Sequence, residues 1–354
     1  MTHVSRTTSR PESLRPISAR DMRLAIGCTP APIEQLEPWE DYEASQGHPL
    51  FGRYVYEADG KPVAVLALYR YTIAGRRFLW AKHGPIWLKE QSPEREAHLR
   101  SLLMREVRLK DSRIVFVRMH ARYRAADTRE LLSTITYDRT FVIDLRPRTP
   151  DAIAAAMPKD GRRGVRRAQR VAAAAGATFA DESDLSRHEF EKVYQVLVET
   201  AERDGFTPHP SEVYWQMLTF LGPKHARLFV MRDAQGKPQA WNLITIYQRH
   251  TWAYYGASSN ESRAYRGAEA LDWWCMRTLA DEGCVSYDLM GAGSVRVPEL
   301  YSVGQYKKRY AQRVTEVDGS WDMPLRSSAF LALRSAKEAK GHLRSLAARA
   351  RSSS

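Results

Sequence analysis

One order of elements occurs twice along this chain, and it constrains the fold more than any other feature. Phe51–Glu57 alternates as a strand, Ala58-Asp59-Gly60-Lys61 is hairpin-turn chemistry, and Pro62–Tyr71 is the return strand. Arg77–Ala81 adds a strand, a helix runs from Ser92 to about Lys110, and Arg113–Met119 reads as a buried strand. Ser92 suits the N-cap and Pro93 the first helical position. The second copy reads Arg227–Arg232, a turn at Asp233-Ala234-Gln235-Gly236-Lys237, Ala240–Tyr247, Thr251–Gly256, a helix over Arg263–Glu282 and a strand over Val285–Met290. Segments 53–119 and 227–290 thus share strand, turn, strand, strand, helix, strand. A shared order with little identity predicts two tandem copies of one α/β (α+β) fold.

A meander of antiparallel strands followed by a helix and a further strand is the order of acyl-CoA N-acetyltransferases, an analogy of fold and not of chemistry. The expected organisation is a disordered basic tail over 1–19, a first domain over 20–145, a second over 146–316 and a C-terminal segment over 317–354. Thr140–Leu145 is expected to close the first domain as an edge strand, with Pro147 and Pro150 marking the junction. Helices are expected over Asp184–Arg203, stopped by Gly205, and over Ser211–Phe220, capped by Ser211. Residues 328–351 form a basic amphipathic helix that either packs on the first domain or lies on an anionic membrane.

The charge is lopsided: 54 Lys+Arg against 41 Asp+Glu give +13, which favours polyanionic partners. Three cysteines without CxxC spacing argue against a disulfide framework or a Cys-rich zinc site, and the scattered histidines form no HxxxH, so no metal is expected. The longest apolar runs, Val63–Tyr69 and Val171–Ala180, fall short of the ~20 residues that span a bilayer. No apolar stretch follows the arginines of the first 24 residues, which excludes a typical secretory signal. A cytoplasmic monomer is expected, with peripheral contact at the inner face of the membrane left open.

Four segments carry candidate chemistry. Arg162, Arg163, Arg166, Arg167 and Arg170 share one broad helical face, with no acid between 161 and 179. That face is either solvated or tracks phosphates, which the planar fork of arginine suits. Thr207-Pro208-His209-Pro210 is a constrained loop before Tyr214. In 252–266, Tyr254 and Tyr255 end a strand, and strand alternation sends them to opposite faces. In 284–310, Asp288 sits near the end of a buried strand, Gly291 and Gly293 permit a tight loop, and Tyr306-Lys307-Lys308-Arg309-Tyr310 packs three cations between two aromatics.

In this order the segments resemble the FemABX family of non-ribosomal peptidyltransferases. The resemblance rests on the Arg/Ala helix before Gly176-Ala177, on Thr200–Arg203 with Gly205-Phe206 and Tyr214, and on Tyr255-Gly256-Ala257-Ser258-Ser259. It continues through Tyr287-Asp288-Leu289-Met290-Gly291, Tyr306-Lys307 and Asp318–Leu325, and covers about residues 30 to 325. It implies two GNAT-like domains and transfer of an amino acid from aminoacyl-tRNA, a co-substrate in place of any bound cofactor, to an amine. In the family that amine usually belongs to the stem peptide of a peptidoglycan precursor. Residues 146–316 leave no room for the helical hairpin that some members carry, so the chain resembles the shorter members. The family's Phe-Lys pair aligns on Tyr306-Lys307, which implies that Lys307 stabilises developing negative charge.

The first half departs from the family pattern. Glu43 stands where short members have a phosphate-binding lysine four residues after a tryptophan, here Trp39. His120 stands for an aspartate, and Pro210 for an arginine four residues before Tyr214. Either the acceptor is held differently, with Arg118, Arg122 or Arg124 taking over phosphate binding, or the acceptor is another amine. The implied reaction is aminolysis of an ester. An amine needs no Ser or Cys nucleophile; orientation, oxyanion stabilisation and proton transfer suffice. Lys307 and Tyr306 are the expected catalytic pair, and Asp288 either orients the ammonium or only ends its strand. Tyr214, Tyr254 and Tyr255 are expected at the substrate. Rival readings are an acyl-CoA acetyltransferase, for which Tyr265-Arg266-Gly267-Ala268 lacks the usual loop spacing, transfer to a lipid or small-molecule amine, and a non-catalytic RNA-binding protein.

Overall fold

A computed structural model describes residues 12–132 and 136–352, with side chains up to residue 339. The chain divides into two compact units: residues up to 135 together with 318 onward, and residues 136–317.

The first unit is built on a sheet of β1 (Ser13–Pro16), β2 (Leu50–Ala58), β3 (Lys61–Ile73), β4 (Arg76–Ala81), β5 (Ile86–Trp87), β6 (Phe116–Ala121) and β15 (Gly319–Pro324). Its order is β1-β2-β3-β4-β6-β15, with β5 on β3. The first four strands pair antiparallel, β4 and β6 parallel, β6 and β15 antiparallel. The hairpin β2–β3 turns at Asp59 and Gly60, both at positive φ, as the sequence predicts. The helices are α1 (Ala19–Ile26), α2 (Pro38–Ser45), α3 (Pro93–Lys110) and α10 (Ser327–Ser352). Ser92 caps α3, accepting from the Arg95 backbone N–H at 3.2 Å. Leu99, Leu103 and Val107 of α3 are sealed against Leu66, Leu68, Leu79, Val117 and Met119, each worth about 1.5–3 kcal/mol of burial. Phe330 of α10 seals a smaller cluster with Phe78, Val115 and Phe116.

The second unit repeats the plan. Its strands are β7 (Arg139–Thr140), β8 (Val142–Asp144), β9 (Thr178–Asp181), β10 (Ala226–Arg232), β11 (Pro238–Tyr247), β12 (His250–Ser258), β13 (Ser286–Asp288) and β14 (Thr315–Glu316). The main order is β8-β13-β12-β11-β10-β9, and β14 pairs β7 apart from it. Here too a four-stranded antiparallel meander leads to a parallel pair, β12 with β13, and then an antiparallel strand, β8. The helices are α4 (Pro150–Ala156), α5 (Lys159–Ala174), α6 (Arg187–Asp204), α7 (Ser211–His225, interrupted at Gly222), α8 (Gly267–Asp281) and α9 (Tyr301–Lys307). Gly205 ends α6 in the left-handed region, φ 75°, donating its N–H to the Ala201 carbonyl.

Several sequence expectations change here. Of the tail expected over 1–19, residues 1–11 lie outside the described residues, while Ser13–Pro16 is an edge strand and Ser18 caps α1. Residues 142–144 do not close the first sheet: Ile143 pairs with Tyr287 in the second. The last strand of the first sheet comes instead from 319–324. Pro210, not Ser211, occupies the cap of α7, and Ser211 donates to Glu191. The α8 helix starts at Gly267, after a 3-10 turn over Glu261–Tyr265.

Candidate active site

Pairing between β12 and β13 is short. His250, Thr251 and Trp252 face Ser286, Tyr287 and Asp288, and there the ladder ends while β12 continues to Ser258. Beyond Asp288 the chain turns away: the Leu289 N–H donates to Phe141, and Met290 takes φ 55°. The left-handed residue is therefore Met290, not Gly291 or Gly293. Those glycines allow close approach instead; a Cβ on Gly293 would lie 2.6 Å from backbone atoms of Tyr301. A bulge at Tyr254, between the pairs Leu243–Tyr255 and Ile244–Ala253, bends β12 at the level where the two strands part.

Lys307 comes to this opening from α9. Its Nζ donates to the carbonyls of Met290 and Gly291, each at 2.8 Å. Asp288, at the end of β13, accepts from the Met290 N–H at 2.7 Å and from the Thr140 hydroxyl. Burial pushes the Lys307 ammonium down to about 8, against the raising effect of the Asp288 and Asp272 carboxylates. Lys308, the next residue, is exposed. Asp288 and Lys307 thus hold one turn of backbone, the first through the Met290 N–H and the second through the Met290 and Gly291 carbonyls.

Tyr306 faces the other way, into a buried polar network. Its hydroxyl donates to Asp272 Oδ2 at 2.6 Å and lies 2.9 Å from the Tyr310 hydroxyl. Asn242 Nδ2 donates to Asp272 Oδ1 at 2.8 Å. Burial pushes the Asp272 carboxyl above its usual value, against the hydrogen bonds of Tyr306 and Asn242. A buried carboxylate persists only when so partnered. Sequence reasoning missed Asp272 and Asn242; the available signal was a polar residue inside each of two apolar runs, Ala240–Ile246 and Ala270–Met276.

The tyrosines divide differently from expectation. Tyr255 packs edge-on against Tyr214, centroids 4.7 Å apart, and Tyr214 also meets Trp241 at 6.1 Å. Trp241 and Asn242 are consecutive on β11, so Tyr214 and Tyr255 lie on the opposite face of the sheet from Asp272. Tyr254 does not sit away from Tyr255: the bulge brings their rings to 5.1 Å. Tyr214 is buried, and burial pushes its hydroxyl up to about 12.

The arginine helix is α5. Gly161, Gly164, Val165, Ala168 and Ala172 form its buried face, and α8 packs against it. A Cβ on Gly161 would lie 1.7 Å from the Arg309 carbonyl oxygen, so only glycine permits the approach. Arg163, Arg166, Arg167 and Arg170 are exposed, whereas Arg162 is half-buried and donates to Ala155. Arg309 of the cationic cluster and Arg266 join Asp160, Arg163, Gly164 and Arg167 in lining a cleft of about 370 Å³.

In the first unit, Arg118 is fully buried, its fork on Asp322 at 2.6 and 3.0 Å and its guanidinium over Phe78 and Trp80. A guanidinium so enclosed has no face for a ligand, which corrects its expected part in substrate binding. Arg122 is exposed and pairs with Asp318 at 3.2 Å. Glu43 is buried and accepts from Trp39 and Tyr71, each at 2.8 Å, and contacts His48 at 2.8 Å. Burial raises its carboxyl, but His48, Lys82, Tyr71 and Trp39 outweigh that and hold it below its ordinary value. Lys82 Nζ lies 4.0 Å from Glu43 and 5.3 and 5.5 Å above the Trp39 and Trp80 rings. A cation therefore stands beside position 43 after all, supplied from the end of β4. His120 is buried beside His83, and burial pushes its imidazole down to about 3. Among the described residues, no group of three or more His, Cys, Asp or Glu is placed to hold a metal ion.

A family model described as acetyltransferase (GNAT) domain matches residues 159–308. The structure is similar to that of FemX, with a TM-score of 0.71 and 15% identity over 91% of this chain and 100% of that one. It is also similar to L-PGS from Bacillus licheniformis, with a TM-score of 0.52 and 13% identity over 92% and 97%. No curated protein matches the sequence. These likenesses bear out the FemABX resemblance at the level of the fold, which is mixed α/β in two GNAT-like copies, and the GNAT family match falls within the second.

Proposed function

Proceeding from a chain that has the FemX fold and a GNAT domain, we propose that it is an aminoacyltransferase moving an amino acid from aminoacyl-tRNA to an amine on the stem peptide of a peptidoglycan precursor. The observation that carries the reading is Lys307, half-buried at the opening between β12 and β13 beside Asp288. The amine attacks the aminoacyl carbonyl, the C–N bond forms as the C–O bond to the 3′-oxygen breaks, and that oxygen takes up a proton. Two N–H groups of Lys307 are spent on Met290 and Gly291, which fixes the third for the oxyanion. Asp288 anchors the turn that holds Lys307, and its carboxylate keeps the ammonium charged. Tyr306 fixes α9 through Asp272. At pH 7 a lysine of pKa about 8 is about nine-tenths charged.

The exposed arginines of α5 supply the tRNA surface in this reading. Changing Arg163, Arg166 and Arg170 to Glu is expected to weaken binding of all tRNAs alike and to flatten the salt dependence, since backbone contacts carry charge and no sequence. Equal affinity and an unchanged salt slope in a filter-binding assay would remove α5 from the interface.

Lys82, with Arg122, supplies the acceptor's phosphate contacts in place of the family's lysine. Calorimetric titration with UDP-MurNAc-pentapeptide is expected to lose about tenfold in affinity on Lys82→Met, the scale of one charge-assisted contact. A second reading, in which the acceptor is a lipid or small-molecule amine, is favoured by the departures at Glu43, His120 and Pro210. Absence of any binding by the wild-type protein would select it.

A further inference from the structure

The last helix, α10, has more charge and length than docking requires. Its 26 residues extend about 39 Å, and among its described side chains the apolar packing lies in the first two turns. Phe330 is sealed, with Ala329 and Leu333 against the same cluster, and Arg334 lies over the Phe330 ring. From Ser335 to Ala339 every residue is exposed. Lys337 reaches back only to the Leu131 carbonyl, at 3.4 Å.

Beyond that point the helix continues to Ser352 with a one-sided pattern. Arg334, Lys337, Lys340, Arg344, Arg349 and Arg351 face a single acid, Glu338. Positions 336, 339, 343, 346 and 350 are Ala, Ala, Leu, Leu and Ala, spaced three and four apart, and so share one helical face. Lys337, Lys340, Arg344 and Arg351 fall on the adjoining arc at 100° per residue. Among the described residues no helix is long and apolar enough to cross a membrane. We propose that the outer part of α10 is a membrane-surface helix that lies on anionic phospholipid, its apolar face at the acyl boundary and its cations among the head groups. Charge complementarity decides the occupant. A second copy of this face would set cations against cations along the flanks, and an RNA surface would make no use of the apolar face. The proposal is independent of the transfer chemistry, since it concerns only where the protein resides.

The test uses the full chain and sedimentation with vesicles of phosphatidylcholine, with and without phosphatidylglycerol. The protein is expected to sediment with the phosphatidylglycerol vesicles at low salt and to be released at high salt. Neutralising two cations, Lys340→Gln with Arg344→Gln, is expected to lower partitioning about thirtyfold while tRNA affinity is unchanged. Leu343→Ser with Leu346→Ser is expected to weaken vesicle binding and leave the sedimentation coefficient in solution unaltered. Phe330 and Leu333 remain in all variants, so the anchored turns persist. Failure to sediment with phosphatidylglycerol vesicles, or equal partitioning of the Gln variant, would overturn the proposal. So would a self-associated wild type that the Leu343→Ser, Leu346→Ser variant dissociates.

Discussion

Lys307→Met lowers the single-turnover rate of transfer by about two orders of magnitude and leaves both substrate affinities nearly intact, because the lost interaction belongs to the transition state. Lys308→Met is the control: Lys308 is exposed and lies outward of the turn that Lys307 holds, so its loss affects chemistry little. The pH profile adds a second readout. The attacking amine must lose a proton, so the rate first rises with pH. Lys307 must keep its proton, so the rate falls as pH passes about 8, the value to which burial lowers it. Lys307→Arg recovers part of the rate and moves that alkaline limb out of range, since guanidinium stays charged. Equal behaviour of the Lys307 and Lys308 variants, or a rate that climbs through pH 8 without a limb in the wild type, would make Lys307 a binding contact or a base instead.

Asp272→Ala removes about 3 kcal/mol of folding stability. The substitution takes the buried acceptor from Asn242 Nδ2 and from the Tyr306 hydroxyl, which keeps only its contact with Tyr310, and each buried hydrogen bond so lost costs about 1–3 kcal/mol. A urea midpoint that falls at constant slope would report it; an unchanged midpoint would show that the network relaxes without cost. Asp272→Asn keeps the shape and removes the charge. The Asp272 carboxylate raises Lys307, so the alkaline limb of activity is expected to move to lower pH in this variant. A purely structural Asp272 would leave that limb in place.

What the sequence revealed was local. The turn at Asp59-Gly60, the cap at Ser92 and the left-handed Gly205 follow from the preferences of the residues themselves. What it concealed was long-range. The alternation of Phe141, Ile143 and Leu145 marks a strand but not its partner, which is β13, 144 positions on for the pair Ile143–Tyr287. The first sheet likewise borrows β15 from the far end of the chain, with Trp321 opposite Met119. The site divided the same way. Lys307, Lys308 and Arg309 were legible as a cationic cluster between two aromatics, and Asp288 as a carboxylate near a strand end. The single extra residue at Tyr254 that bends β12, and the burial of Arg118 on Asp322, depend on register and packing that no local pattern records. Lys82 was hidden because its role beside Glu43 exists only once β4 and α2 are packed together.

The central claim is that the acyl donor is a charged tRNA and the product an amide. The purified protein, given tRNA charged with mixed labelled amino acids and a peptidoglycan precursor with a free stem-peptide amine, is expected to move label from an alkali-labile ester to an alkali-stable bond on the precursor, in a reaction that Lys307→Met suppresses. Consumption of acetyl-CoA by the same protein, with the tRNA ester left intact, would contradict the account.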